Sequence, residues 1–314
     1  MWKLEPAQVA LAIALDLLLG DPRNWPHVTR LVGKLSSSCE RLVTGFAGRT
    51  ILSGALFWAA VCCAMLALYF ASRAALAVIS PRLAWVFDIA VIYQTLAAAD
   101  LHRHVRAVFK PLRAGDIAAA RARLAMIVGR DTAHLDESEI SRATMESLAE
   151  STNDGFVAPL FWCVVAGAPG ALLYRTANTL DSMVGHRDER YEKFGKVSAR
   201  ADDALSWIPA RLCAAASEAS RSFRDWRRIR REALAHASPN AGWSEAALAF
   251  ALGVRLGGDN FYDGLRVGGP VFHADGRVAC AADIPASLRW FWSVVALCSV
   301  SFLLASIAIH RVLP

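Results

Sequence analysis

Apolar positions in this chain fall into blocks. Residues 54–72 and 83–99 are nearly unbroken runs of Ala, Leu, Val, Ile and aromatic side chains, separated by a short turn containing Pro81, and residues 291–309 form a third run. About 20 apolar residues in helical form cross a hydrocarbon core of roughly 30 Å, so each run predicts a transmembrane helix. An earlier run, 7–19, is interrupted only by Asp16 and stopped by Gly20-Asp21-Pro22. It lacks a clear basic start and a clear small-residue cleavage site, so it reads as a retained, short first span rather than a signal peptide. A fifth block, 155–174, is broken by Pro159 and by Gly167-Ala168-Pro169-Gly170. Such a segment suits a bent or re-entrant element that faces protein or a cavity rather than lipid.

The pattern therefore predicts an all-α integral membrane protein, a single domain over 1–314. It has about four transmembrane helices, one broken or re-entrant helix, and large polar helical segments at 100–154 and 175–290. Composition fits this division: 55% of residues are apolar, yet 20% are charged. Of 34 basic residues only Lys3, Lys34, Lys110, Lys193 and Lys196 are lysine; the rest are arginine. Arginine's planar fork grips phosphate and carboxylate by two bonds at once. The net charge of +6 does not point to nucleic acid, because a soluble nucleic-acid binder would leave the apolar runs unburied. It reads instead as loop charge. Arg23, Arg30, Lys34, Arg41 and Arg49 follow the first run and arginines crowd 100–154, whereas the Pro81 turn is flanked only by Arg73 and Arg82. The positive-inside rule places residues 21–53 and 100–154 in the cytoplasm of a multi-pass inner-membrane protein and the Pro81 turn outside, and residues 175–288 are cytoplasmic too if the broken segment does not cross fully. Residues 220–236 alternate arginines with Phe223, Trp226, Ile229 and Leu234, which predicts an amphipathic helix suited to membrane lipids or packed on the domain. The seven cysteines include no C-x-x-C pair and suggest neither zinc nor redox chemistry.

Polar residues cluster around the broken segment. Glu146, Glu150 and Asp154 are spaced by four and would form a carboxylate ladder on one helical face. Like charges at that spacing repel unless cations hold them. Asn178 and Asp181 share a face beyond the broken segment, and Arg200, Asp202 and Asp203 follow. Oxygen ligands without thiolates or close histidine pairs favour magnesium over a transition metal, although surface ion pairs would give the same letters. A third cluster, Ser238-Pro239-Asn240-Ala241-Gly242-Trp243-Ser244-Glu245, opens an alanine-rich helix and reads equally as a helix cap. There is no P-loop to hold a nucleotide. His102 and His104, two apart, read as boundary residues rather than ligands.

Taken in order, these blocks resemble the adenosylcobinamide-phosphate synthases of cobalamin biosynthesis, the CobD/CbiB family. The matching stretches are 15–22 with Trp25-Pro26-His27, 128–132, 150–161, 178–185, 198–203 with Ile208-Pro209-Ala210-Arg211, and 238–245 with Leu256-Gly257-Gly258. Three positions depart from the family pattern: Ser151 stands for its usual asparagine, His186 for a tyrosine, and Asp259 for the proline of Gly-Gly-Pro-Asn. The resemblance implies an ATP-dependent ligase that joins adenosylcobyric acid, a corrinoid, to 1-aminopropan-2-ol O-phosphate. On that reading Glu150, Asp154 and Asp181 are catalytic, and Glu146, Glu150, Asp154, Asp181, Asp202 and Asp203 hold Mg2+. Arg130, Arg187, Arg190 and Arg200 neutralise phosphates of ATP and the amine, while Asn178, Asn240 and Glu245 orient substrate. Other cobalamin-assembly enzymes or a second copy of the chain are the implied protein partners. A non-catalytic scaffold of such an assembly and a small transporter are the alternative classes.

Overall fold

Helix caps written into the sequence define most element boundaries. The computed structural model describes residues 5–22, 25–186 and 188–312. In chain order the helices begin with α1 (Pro6–Leu19), α2 (Val28–Ala47), α3 (Ile51–Ile79), α4 (Pro81–Tyr93), α5 (Ala98–Arg113), α6 (Ile117–Leu124) and α7 (Glu137–Thr152). A π-helical turn (Asn153–Val157) leads to α8 (Ala158–Val184), followed by α9 (Lys196–Ala219), α10 (Trp226–Ala233) and α11 (Ala241–Leu252). Five short strands, β1 (Val254–Gly257), β2 (Asn260–Tyr262), β3 (Leu265–Val267), β4 (Val271–Phe272) and β5 (Arg277–Val278), precede the last helix, α12 (Ile284–Val312). Reciprocal capping boxes open α1 at Glu5 and Gln8, α3 at Thr50 and Ser53, and α7 at Asp136 and Glu139. Each satisfies two of the orphan backbone donors at a helix start.

Among the described residues, four helical runs are long and apolar enough to cross a membrane: Ile51–Ile79, Pro81–Arg113, Glu137–Val184 and Ala281–Val312. Three contain the expected runs 54–72, 83–99 and 291–309. The fourth contains the broken segment 155–174. Helix α1 has only 14 residues, so it is about 21 Å long, short of a hydrocarbon core of roughly 30 Å. The breaks in the fourth run are real. The backbone leaves helical angles at Ala166 and Gly167, where Gly167 takes a φ of +65°, just before Pro169.

The chain divides into two compact units: Met1–Ala97 with Ala158–Ser206 and Ser299–Pro314, and Ala98–Val157 with Trp207–Cys298. In the first, α3 packs against α2, α4 and α8, and α4 against α1 and α8. Its most conspicuous buried charge is Asp88 on α4. The carboxylate accepts from Tyr69 Oη at 2.7 Å, Arg73 Nε at 3.0 Å and, more weakly, Gln8 Nε2 at 3.4 Å, tying α1, α3 and α4 together. In the second unit, α7 packs on α5, α6 and α11, and α11 on α10 and β1. Strand β1 pairs antiparallel with β4 and parallel with β5, while β2 and β3 form a hairpin whose turn, Asp263-Gly264, has positive φ at both residues. These strands, of two to four residues each, interrupt the expected helical segment 175–290. The helix expected over 220–236 shortens to α10. Ser222 and Phe223 adopt positive φ, and Glu218 Oε2 accepts from the Asp225 amide at 3.0 Å to close the turn between α9 and α10.

The Asp88 network sets a stability test. Replacing Asp88 by Ala strands Arg73 and Tyr69 and should cost about 3 kcal/mol, the low end for a broken buried pair because Arg73 keeps part of its surface in contact with solvent. Thermal melting of the detergent-solubilised chain should show a large drop for Asp88→Ala and a substantial recovery in the double variant Asp88→Leu/Arg73→Met. Equal melting temperatures for the single and double variants would show that the pair holds nothing together.

Candidate functional site

In the second unit the polar cluster is built on one face of α7. Arg142, Glu146 and Glu150 follow each other at helical spacing of four. Glu146 is buried, with 3% of its surface exposed, while Glu150 is exposed. The Glu146 carboxylate accepts from Arg130 Nη1 at 2.6 Å, Arg142 Nη1 at 3.1 Å and the Gly257 amide at 2.7 Å. Asn260 Oδ1 accepts from the same arginines, from Arg130 Nη1 at 2.7 Å and Arg142 Nη2 at 3.2 Å, and Arg142 also donates to the Gly257 carbonyl at 2.9 Å. Gly257 is required where it stands: its φ is +77°, and a Cβ there would lie 2.1 Å from the Pro270 carbonyl oxygen. Thus the segment 257–260 is clamped onto the Arg142–Glu146 face, and the β2–β3 hairpin is held at its turn by Asp131, whose Oδ2 accepts from the Gly264 amide at 2.8 Å.

Glu245, on α11, is buried beside this cluster. Burial pushes its carboxyl well above the usual carboxylate range, and the neighbouring Glu146 and Glu150 carboxylates push it further than Arg130 and Arg142 pull it back. That shift favours the protonated form, which can donate a hydrogen bond. His236 Nε2 lies 4.0 Å from Glu245 Oε1. Burial lowers the His236 pKa, and its Nδ1 lies 3.0 Å from the Ser238 amide nitrogen and 3.2 Å from the Ser238 carbonyl oxygen, which hold the ring with Nε2 towards Glu245. The adjoining turn is fixed by Arg211. Its guanidinium lies over Trp207 at 4.0 Å and Trp243 at 4.8 Å from the ring centroids, and it donates to Asn240 Oδ1 at 3.3 Å. Asp154 stands in the π-helical turn, where Asn153 Nδ2 donates to its Oδ1 at 2.8 Å. The expected ladder thus ends in a widened turn, the kind of irregularity concentrated at functional sites.

In the first unit, α8 and α9 bring a second set of oxygens together. Asn178 Nδ2 donates to Asp202 Oδ1 at 3.3 Å. Asp181 lies one turn on from Asn178, with Gly185 packed so closely that a Cβ there would sit 1.9 Å from Asp181 Oδ1. Asp203 follows Asp202 on α9, and Arg200 is exposed on the same helix. Arg190, itself largely exposed, pairs with Glu40 on α2 at 2.9 Å, alongside Arg49 at 2.7 Å. Burial alone would raise the Glu40 carboxyl, but hydrogen bonds from Arg49 and Arg190 outweigh it and leave the pKa lowered. Arg187 lies outside the described residues. Among the described residues, no three His, Cys, Asp or Glu side chains converge in a group that would hold a metal ion.

Of the residues singled out from the sequence, Arg130, Glu146, Glu150 and Glu245 meet in one cluster with Arg142, Asn260 and His236, which sequence reasoning had not placed there. Arg142 was visible four residues before Glu146, the spacing of a helical ion pair, yet such a pair reads by default as a solvated surface bridge. Asn260 was visible as the asparagine of the Gly-Gly-Pro-Asn pattern, from which no contact could be read, and His236 carried no comparable signal.

The raised Glu245 pKa has a consequence for stability. A carboxyl whose folded pKa is raised contributes fully below its ordinary pKa, and that contribution is lost as pH rises through the raised value. Melting temperatures taken upward from about pH 4, the ordinary glutamate range, should fall more steeply for the native chain than for Glu245→Gln, which imitates the neutral acid. Parallel curves would mean that Glu245 is not held protonated.

A family model described as CobD/Cbib protein matches residues 9–291. Named relatives cover nearly the same ground. "Cobalamin biosynthesis protein CobD" of Citrobacter koseri is 41% identical over 291 residues, 90% of this chain and 91% of that protein. "Cobalamin biosynthesis protein CbiB" of Salmonella choleraesuis is 39% identical over 305 residues, 94% of this chain and 95% of its own length. The CobD protein of Klebsiella pneumoniae is 38% identical over 302 residues, covering 93% and 95%. No solved structure matches the chain.

Proposed function

The chain belongs to the CobD/CbiB family of cobalamin biosynthesis, and from that premise we propose that it is an adenosylcobinamide-phosphate synthase, an ATP-dependent ligase of the inner membrane with its polar segments in the cytoplasm. The observation that carries this reading is the family match across residues 9–291, which takes in both polar clusters.

The chemistry suits those clusters. A carboxylate is a poor electrophile, so the free carboxylate of adenosylcobyric acid must first be activated. Its oxygen attacks the γ-phosphorus of ATP and ADP leaves, giving an acyl phosphate. The amine of 1-aminopropan-2-ol O-phosphate then attacks the acyl carbon, inorganic phosphate leaves, and the amine gives up a proton to a base. Both steps depend mainly on positioning and charge neutralisation. The exposed Glu150, with Asp154, supplies the base for that proton. Buried Glu245, neutral beside it, donates a hydrogen bond to a substrate oxygen, and Asn240 is held by Arg211 to orient substrate. Arg130 reaches the cluster already bonded to Glu146 and Asn260, which makes Glu146 the residue that aims Arg130. Arg187, Arg190 and Arg200 serve phosphate groups.

The fit to Mg2+ rests on donor chemistry. Asn178, Asp181, Asp202 and Asp203 offer only oxygen, and the Asn178–Asp202 contact places two of them within reach of one another. Mg2+ characteristically takes one or two carboxylates and completes its shell with substrate phosphate and water, so a three-carboxylate cage is not needed. When bound, it neutralises phosphate charge during transfer.

The test is a ligation assay on detergent-solubilised protein with adenosylcobyric acid, aminopropanol phosphate, magnesium and ATP, read by mass spectrometry. Amide product should require both ATP and magnesium, and Asp154→Asn and Asp181→Asn should each lower turnover by at least about 100-fold. Turnover within a few-fold of the native chain in both variants would remove the assigned roles. Absence of product with the corrinoid still bound would favour the scaffold reading instead.

A further inference from the structure

One groove in the second unit takes no part in the chemistry above. It has a volume of about 690 Å³ and runs between α5 and the first turns of α12. From α5, His102, Arg106, Phe109 and Arg113 line it at spacings of four, three and four, with Lys110 beside them. From α12, Pro285, Leu288, Arg289 and Trp292 line it at spacings of three, one and three. Each helix thus presents one continuous stripe. Arg106, Lys110, Arg113 and Arg289 are exposed, whereas Val105, Val108 and Leu112 on the other side of α5 are buried. No acidic side chain is among the lining residues described. Trp292 Nε1 lies 3.0 Å from His102 Nδ1 and closes one end, and the Arg113 guanidinium rests over the Phe109 ring at 5.7 Å.

The position matters as much as the charge. The groove lies where α12 passes from its polar start into its apolar run, at Trp290 and Trp292. Tryptophan favours this headgroup level of a bilayer. Directly beyond Trp292, the same helix exposes Ala296 and Leu297, so an apolar surface leads away from the four cations. A cationic head and an apolar runway on one side of a helix at the membrane boundary match one class of molecule. We propose that the α5–α12 groove is a binding site for an anionic phospholipid, its phosphate among Arg106, Lys110, Arg113 and Arg289 and its acyl chains against Trp292 and the exposed side of α12. The site is independent of the ligase reading, because none of these residues belongs to the clusters that carry it.

Native mass spectrometry of the full-length chain in detergent, with phosphatidylglycerol or phosphatidylcholine added at matched concentration, tests this directly. The native chain should retain phosphatidylglycerol at least about ten-fold better than phosphatidylcholine. The triple variant Arg106→Gln/Lys110→Gln/Arg289→Gln should bring the ratio to about one, as expected when those charges set the preference. A control with equal charge loss elsewhere on the surface, Arg41→Gln/Lys193→Gln/Lys196→Gln, should keep the native ratio. Equal retention of the two lipids by the native chain overturns the proposal without reference to any variant. So does a loss of preference in the control, which would make the effect one of overall charge. Displacement of phosphatidylglycerol by millimolar inorganic phosphate also overturns it, in favour of a site for free phosphate.

Discussion

A carboxylate sealed from water must find its counter-charges inside the protein, and Glu146 is satisfied by three donors from three separate segments. Arg130 precedes α7, Arg142 lies on it, and the Gly257 amide ends β1. Leaving such a group unpaired costs several kcal/mol, far more than an exposed ion pair contributes, so the placement of all three segments follows from one charge. Asn260, bonded to both arginines, extends the constraint to the start of the β2–β3 hairpin. Gly257, whose amide makes one of those bonds, has to be glycine because its φ is +77° and a Cβ there would lie 2.1 Å from the Pro270 carbonyl oxygen.

That arrangement also decides the state of its neighbours. Two arginines face three carboxyl groups, and Glu146 takes the direct bonds from both. Glu245, buried and facing the remaining negative charge, has its carboxyl pushed well above the usual range, toward the protonated form. Glu40, in the first unit, is built from similar parts and ends in the opposite state. It has two arginines to itself, and its carboxyl is held below the usual range. The difference is one of charge count and burial, not residue type. It is why one glutamate is suited to donating a hydrogen bond and the other to anchoring the segment that carries Arg190 onto α2.

Long-range periodicity and local caps were legible in the sequence; contacts between distant short segments were not. The apolar runs at 54–72, 83–99 and 291–309 announced α3, α4 and α12 because a helix that crosses a bilayer must be apolar over its whole length. The run at 7–19 likewise announced α1, which is apolar and shorter than the spanning runs. Strands of two to four residues carry too few positions for alternation to show, and so the sheet around β1 was missed. Arg142 was hidden by an ambiguity of sign: the same spacing serves a solvated pair and a buried clamp, and only burial distinguishes them. Asp259, read as a minor departure from the family pattern, keeps the turn before Asn260 by another means, since it forms an ion pair with Arg266 on β3.

The helical run from Glu137 to Val184 joins these constraints. It is apolar enough over part of its length to cross a bilayer, yet it is interrupted at Asn153–Val157 and again at Ala166–Gly167. Every break in a spanning helix releases backbone groups that lipid cannot satisfy, so it is tolerated only where protein or polar groups receive them. Residues 156–160 and 167–168 are indeed buried. The first break coincides with Asp154, so the residue with most to gain from local polarity stands where the backbone itself is most polar. Glu146 and Glu150 lie before that break; Asn178 and Asp181 follow the second. A run that was uniformly helical and uniformly apolar would be more stable as a span and would carry none of them. The sequence instead accepts two irregular turns, buried within protein, and carries oxygen-bearing side chains before the first and after the second.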